Sequence, residues 1–402
     1  MAADHALAWL NLALRWGHVI TGIAWIGTSF YFNWLNSRVA PPPAGRAEPG
    51  VAGELWSVHG GGFYRMVKYA GAPAQLPGTL HWFKWEAYAT WLTGVSLLAL
   101  IYYLQADAFL VAPGRGLAPG VVIAIGVGAL VAPWVVYEVL CRSPLGGRPA
   151  LLAVLGFVLV TALAWGLTQV MSARAAYLHV GAALGTIMAA NVLMVIIPSQ
   201  RDMVAVMAQG RSPDAARGRQ AALRSLHNNY LTLPVLFVMV SNHYPATYGS
   251  RLNWEILLGL SVLGALTRHW FNLRNQGRRA VWILPAATLG MVLLAFVSQP
   301  QRLPAPPAPP AGISAGVAFT DVRVVVARRC AACHSATPTM AGFAAAPAGV
   351  LLDTPEQIRS QAPRIQTVAV AAQTMPLGNV TGMTVEEREL LGRWIREGAR
   401  LR

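Results

Sequence analysis

Apolar residues in this chain come in long blocks rather than in the two- or three-residue clusters of an ordinary amphipathic helix. Eight blocks stand out, at 8–35, 81–104, 118–141, 150–171, 175–197, 229–248, 254–273 and 279–298. Each reaches roughly the 20 residues that an α-helix needs to cross a hydrocarbon core about 30 Å thick. The third and fourth, "GVVIAIGVGALVAPWVVYEVL" and "LLAVLGFVLVTALAWGL", are almost unbroken. A helix apolar on every side has no face for water. The pattern therefore predicts an all-α bundle of eight transmembrane helices over residues 1–298.

Arginine placement adds an orientation. Arg38, Arg46, Arg65 and Lys68 lie between the first two blocks, and Arg142 and Arg148 between the third and fourth. Arg201, Arg211, Arg217, Arg219 and Arg224 follow the fifth block, and Arg274, Arg278 and Arg279 the seventh. The alternate connections hold only Arg115, Arg174, Arg251 and Arg302. Basic residues mark the cytoplasmic side, so both termini are expected outside. The N-terminus has no basic stretch ahead of its apolar block, so that block reads as a retained span rather than a cleaved signal peptide.

Composition agrees. Of 402 residues, 55% are hydrophobic and 12% charged, with 14 Trp; soluble domains carry about 25% charged residues. The net charge of +15 sits in the connections, which argues for membrane topology and against a nucleic-acid partner. Three cysteines exclude a disulfide framework, and Cys141 reads as a helix-end residue.

After "PQRLPAPPAPPAG" the character changes. This Pro-rich linker, 299–317, predicts an extended, semi-rigid tether. Residues 318–402 lack long apolar runs, and ten Arg there face seven acidic residues. Within this small soluble domain lies "ARRCAACHSATP", in which Cys330, Cys333 and His334 form C-x-x-C-H, the attachment signature of covalent haem c. The cysteines would form thioethers and His334 would ligate the iron. Met375, in "QTMPLGN" and 41 residues beyond His334, is the expected sixth ligand. Met383 is the reserve, and Met340 lies too near His334 to reach the other haem face. A class I-like cytochrome c fold is expected, closed by a helix in "TVEERELLGRWIREG" that turns Leu390, Leu391 and Trp394 to one side.

Ionisable residues inside a membrane are costly and mark function by default. The topology sorts them into two layers. The outer layer holds Arg15, His18, His179 and His243; His18 with His179 or His243 would place a haem b there. Equally, each His can simply bond a neighbouring helix, and Arg15 can snorkel outward. The inner layer holds His81, Lys84, Glu86, His227, Arg268 and His269, beside Asn228 and Asn229. "HNNYLTLPVLFVMVSNHYP" crowds two His, three Asn and two Pro into one span, which suits a substrate or cofactor wall. The three glycines of "WSVHGGGFYRMVKY" suit either close backbone approach to a ligand or a tight turn; no P-loop Lys-Ser/Thr follows them.

The segments "WGHVITGIAWIGTSFYFNWLN", "WSVHGGGFY", "HWFKWEAYATWLTG", "IMAANVLMVIIPSQ", "HNNYLTLPVLF", "SNHYP" and the "CAACH…TMPLGN" tail resemble the bacterial membrane-integral urate oxidase (urate hydroxylase) family. The resemblance covers essentially the whole chain. It implies oxidation of urate to 5-hydroxyisourate, with two electrons passed to the cytochrome domain and on to respiratory carriers. A planar urate monoanion calls for cationic and amide donors and a base. The inner layer offers Lys84, Glu86, His227 and His269 as catalytic candidates, with Asn228, Asn229 and Arg268 for binding. Two other classes stand beside this one: a membrane subunit passing quinol electrons to a periplasmic acceptor, and a transporter with a redox sensor.

Overall fold

The computed structural model describes residues 2–43, 48–71, 73, 75–112, 115–299, 316–340, 343 and 346–401. Residues 300–315 of the expected tether lie outside them. The apolar blocks are helical. In order they are α1 (Ala2–Arg38), α2 (Trp85–Leu98, continued by a π turn, Ala99–Tyr103), α4 (Pro119–Arg142) and α5 (Pro149–Val170). The fifth block forms α6 (Ala173–Ala190), which passes through a π turn, Asn191–Ile196, into α7 (Ile197–Ala208). The last three are α8 (Ala215–Ser241), α10 (Asn253–Asn275) and α11 (Ile283–Val297). Short helices α3 (Ala106–Phe109) and α9 (Pro245–Tyr248) connect α2 to α4 and α8 to α10.

Four of these rods, Pro119–Arg142, Pro149–Val170, Ala173–Ala208 and Asn253–Asn275, are long and apolar enough to cross a membrane. On α4 and α5, Val131, Val139, Val154, Val158 and Trp165 are all exposed. A water-soluble bundle would bury such residues. The rod α6–α7 is instead the packed centre. It buries Ala175, Ala176, Tyr177, Val180 and Ala183 against α4 and α8. Small residues here let helices approach closely where no hydrophobic drive operates between them.

Two features depart from the block pattern. α8 starts about fourteen residues ahead of its apolar block, so Arg217, Arg219 and Arg224 lie on helix rather than loop. The connection after α1 is not loop throughout: β1 (Val51–His59) and β2 (Gly62–Tyr69) form an antiparallel hairpin. Its two turn residues, Gly60 and Gly61, have φ of 56° and 81°, the left-handed pair that a two-residue type I′ turn demands. Of the two readings of the triple glycine, the tight turn is the one seen. The otherwise all-α chain thus carries one small sheet, tied to the end of α1 by Lys68 donating to Asn36 and by the Ala40–Glu54 bridge.

Residues 316–401 form a second core. Here α12 (Phe319–Arg329), α13 (Pro355–Ser360), α14 (Ala362–Ile365) and α15 (Val385–Arg396) bury Val322, Val326, Ile358, Leu391 and Trp394. Helix α15 begins with the expected Thr384 cap, reciprocated by Glu387 in a capping box. Phe319 and Trp394 bring α12 and α15 together, with ring centroids 5.9 Å apart.

Candidate active site

Among the described residues, helix α8 carries more of the buried polar side chains than any other helix. Consecutive helical residues are about 100° apart, so His227, Asn228, Asn229 and Tyr230 fan out to different neighbours. Pro234, one turn later, lacks the N–H that would bond the Tyr230 carbonyl and loosens the helix there.

One face meets α4 and the π turn. Arg224, 1% exposed, donates to Glu138 at 2.6 Å, and Arg142 reaches the same carboxylate at 2.6 Å. Arg224 also lies over the Tyr137 ring, 4.8 Å from its centroid. Asn191, the first residue of the π turn, donates to Tyr137 at 3.2 Å and to Asn228 at 2.9 Å. Asn228 in turn donates to the Met188 carbonyl at 2.9 Å, and the Tyr137 hydroxyl bonds His227 Nδ1 at 2.7 Å. Among the described residues, no buried polar atom of this network lacks a partner.

The opposite face meets α10 and α1. Asn229 Oδ1 accepts from Arg268 Nε at 2.9 Å and from Asn272 Nδ2 at 3.0 Å. The Arg268 guanidinium covers the Phe30 ring at 3.9 Å. Beside it, Tyr230 and His269 bond through the hydroxyl and Nδ1 at 2.7 Å, with their rings stacked. Here the accounting does not close: Asn229 Nδ2, Arg268 Nη2 and Asn272 Oδ1 are all buried and unpartnered. Each such group costs about 1–3 kcal/mol. Two donors and an acceptor left open in one cluster suit a small polar ligand.

The Urate oxidase N-terminal family model matches residues 4–299, which takes in every residue of both faces. The chain belongs to the urate oxidase N-terminal family. No curated protein and no solved structure matches it. The family supports an oxidoreductase acting on urate.

The structure divides the expected inner layer. Asn229, Arg268 and His269 come together on one face of α8, while His227 and Asn228 belong to the closed network on the other. Lys84 and Glu86 join neither through any hydrogen bond among the described residues. Lys84 sits at the N-cap of α2 with its ammonium 5.5 Å from the Trp85 ring, and Glu86 lies in the first helical turn, where the helix dipole favours a carboxylate. One Glu86 oxygen is buried without a partner. His81 is exposed ahead of α2.

Several members were absent from the sequence reading. Asn272 lies four residues after Arg268, the spacing that shares a helix face, so it was findable. Glu138 is a lone acid inside an apolar block and was findable for the same reason as the other intramembrane charges. Phe30, Tyr137 and Asn191 give no signal apart from ordinary packing.

The outer histidines differ from one another. His18 Nδ1 bonds the Thr90 carbonyl at 3.0 Å and Thr93 Oγ1 at 3.1 Å. That leaves Nε2 free, as in a metal-ligating imidazole whose orientation is fixed from behind. His179, wholly buried, bonds the Ala175 carbonyl through Nδ1 at 2.8 Å, but its Nε2 already bonds Tyr103 at 3.1 Å. A Cβ on Gly126 would fall 2.8 Å from that nitrogen. His243 is exposed in the turn after α8. His179 thus has no free ring nitrogen, so a haem b held between His18 and His179 does not fit this arrangement. Arg15 is exposed, as expected of a snorkelling side chain.

The C-x-x-C-H segment is arranged differently. The Cys333 and His334 amides both donate to the Cys330 carbonyl, at 3.1 and 2.9 Å, which winds the motif into a single turn at the end of α12. His334 Nδ1 bonds the Val350 carbonyl at 3.1 Å, leaving Nε2 for iron. Burial lowers the His334 pKa, so the imidazole is neutral, the form that ligates metal. Burial also pushes the Cys330 thiol up to about 12, with Cys333 adding to the shift. Met375 and Cys330 both pack against the second core. Arg388 donates to the Met375 carbonyl at 2.7 Å and to the Ala369 carbonyl, pinning that loop. Met383 is instead buried in the core, its backbone bracketed by the Asn379 amide at 2.9 and 3.2 Å. These residues fit haem c.

Proposed function

We propose that the chain oxidises urate to 5-hydroxyisourate among its eight helices and passes the electrons to haem c in its C-terminal domain. In this reading all eight rods cross the bacterial inner membrane, both termini lie outside, and a respiratory carrier takes the electrons onward. One observation carries the placement of urate: the three unpartnered polar atoms around Arg268. Arg268 Nη2 and Asn229 Nδ2 would donate to the carbonyl oxygens of the planar anion, and Asn272 Oδ1 would accept from a ring N–H. The guanidinium, held flat on Phe30, keeps its fork in one orientation.

The reaction takes urate and water to 5-hydroxyisourate, two electrons and two protons. A C5–O bond forms, and both protons need acceptors. His269, backed by Tyr230, is the base nearest the open cluster in sequence and contact, and it fits removal of a proton from urate or from the attacking water. Asn228 holds α8 against the π turn and His227 holds it against Tyr137 of α4, and together they set the angle at which Asn229 is presented. Cys330, Cys333, His334 and Met375 would hold haem c, which would supply a one-electron acceptor, so each urate would call for two transfers.

The test is anaerobic mixing of the purified protein with urate while the haem absorbance is followed. Urate should reduce the haem in the wild type and fail to do so in Arg268→Met, with dithionite reducing both. Reduction by quinol but not by urate would overturn the proposal in favour of an electron-transfer subunit.

A further inference from the structure

The connectors at one end of the bundle form a built platform. Ser172 ties α3 to the start of α6, donating through its amide to the Leu110 carbonyl at 2.8 Å and through its hydroxyl to the Phe109 carbonyl at 2.7 Å. Arg174 donates to Asn242 at 2.8 Å, and Tyr177 meets Tyr248 of α9 with centroids 6.2 Å apart. By the arginine pattern this end faces outward.

The C-terminal domain rests on that platform through the loop around Met375. Gly378, at φ 57°, lies against the Ala108 carbonyl so closely that a Cβ would fall 2.4 Å from the oxygen. Gly249, just past α9, touches the other side of the same loop: a Cβ there would fall 2.7 Å from Thr374 and 2.8 Å from Ala372. Phe109 of α3 stacks with Phe343, centroids 6.4 Å apart and planes within 25°. Behind Phe109 come Tyr102, at 6.2 Å, and His179, a further 6.5 Å inward. A line of four rings thus runs from the buried interior into the domain that carries Cys330 and His334.

We infer that the C-terminal domain accepts electrons while docked on α3 and α9, and that Phe109 and Phe343 form the crossing point. This rests on the proposed urate oxidation for the source of the electrons, but the docking does not depend on it. Each crossing takes one electron from the purine undergoing oxidation and reduces one ferric haem to ferrous. A respiratory carrier must reoxidise the haem before the second crossing, and the two protons stay with bases among the helices.

The experiment is hydrogen exchange of the full-length haem-loaded protein in lipid nanodiscs, paired with haem reduction by urate. In the wild type, segments 104–111 and 372–381 should both be protected. Ala372→Arg and Gly249→Leu each push a side chain into the seat, and both segments should lose protection while α12 and α15 keep theirs. Haem absorbance, reduction potential and dithionite reduction should be unchanged, and reduction by urate lost. Phe109→Leu should stay docked and slow urate-driven reduction. Free exchange of both segments in the wild type, or wild-type reduction rates in an undocked variant, would overturn the docking. A wild-type rate in Phe109→Leu would overturn the crossing point. If urate reduces no variant, including the wild type, the proposed function fails while the protection pattern still decides the docking.

Discussion

The two faces of α8 are made of the same materials: arginine, asparagine, a tyrosine and a histidine. On the face toward α4, Arg224 meets a carboxylate and every amide finds its complement. On the face toward α10, Arg268 meets an aromatic ring and an amide oxygen already shared with Asn272, and three polar atoms are left over. A closed network locks helices in place. An open one is held at a cost that a ligand can remove. Residue type alone therefore does not separate the two faces; the bonding count does.

The sharpest way to break this contrast is on the closed face. Arg224→Met leaves Glu138 buried with only Arg142, and the loss of one partner from a buried pair costs about 3–5 kcal/mol. Denaturant unfolding in detergent should show it; a small change would mean the network is not structural. The open face should respond to ligand instead. Urate at a hundred times its Kd should stabilise the wild type by about 2.7 kcal/mol, read as a rise in the thermal midpoint. Arg268→Met should abolish that rise, and its unliganded midpoint should fall modestly because the bond to Asn229 and the contact with Phe30 are lost with it. Asn272→Leu removes one bond to Asn229 and one open acceptor together, so its unliganded stability should fall by no more than about 1 kcal/mol. Its urate-induced shift should shrink without vanishing. At the small end, Arg65 bonds Glu54 at 2.6 Å and Glu48 at 2.9 Å, yet it sits in solvent on the hairpin. Arg65→Gln should leave the midpoint unmoved, as exposed pairs generally do. A separate variant, Met375→Ala, should keep the haem attached and lower its potential in a redox titration. An unchanged potential would favour Met383 as the sixth ligand.

The helices were legible because lipid imposes a length and tolerates no unpaired backbone, so composition alone marks the blocks. The C-x-x-C-H motif was legible because its chemistry is local to five residues. What did not show was pairing across helices. His227, Asn228, Asn229 and Tyr230 read as one polar cluster in sequence, and only the helical turn sends two of them each way. Arg224 read as a loop charge because α8 extends past the edge of its apolar block, and its partner Glu138 lies 86 residues earlier. The hairpin hid behind glycines that serve more than one purpose. His179 read as a potential ligand because nothing in the chain announces that Tyr103 already occupies its second nitrogen.

The π turn at Asn191–Ile196 has one more consequence. Such a turn holds an extra residue within an otherwise continuous helix, and each residue advances the helix by about 100°. The rod from Ala173 to Ala208 is therefore two helices sharing one axis but out of phase. The part before the turn keeps small residues against α4 and α8, and Asn191, which opens the turn, bonds Tyr137 and Asn228. Deleting a single residue between 191 and 196 would restore a uniform helix. Everything from Pro198 to Ala208 would then swing about a quarter turn, and the two parts of the rod could no longer both keep their packing.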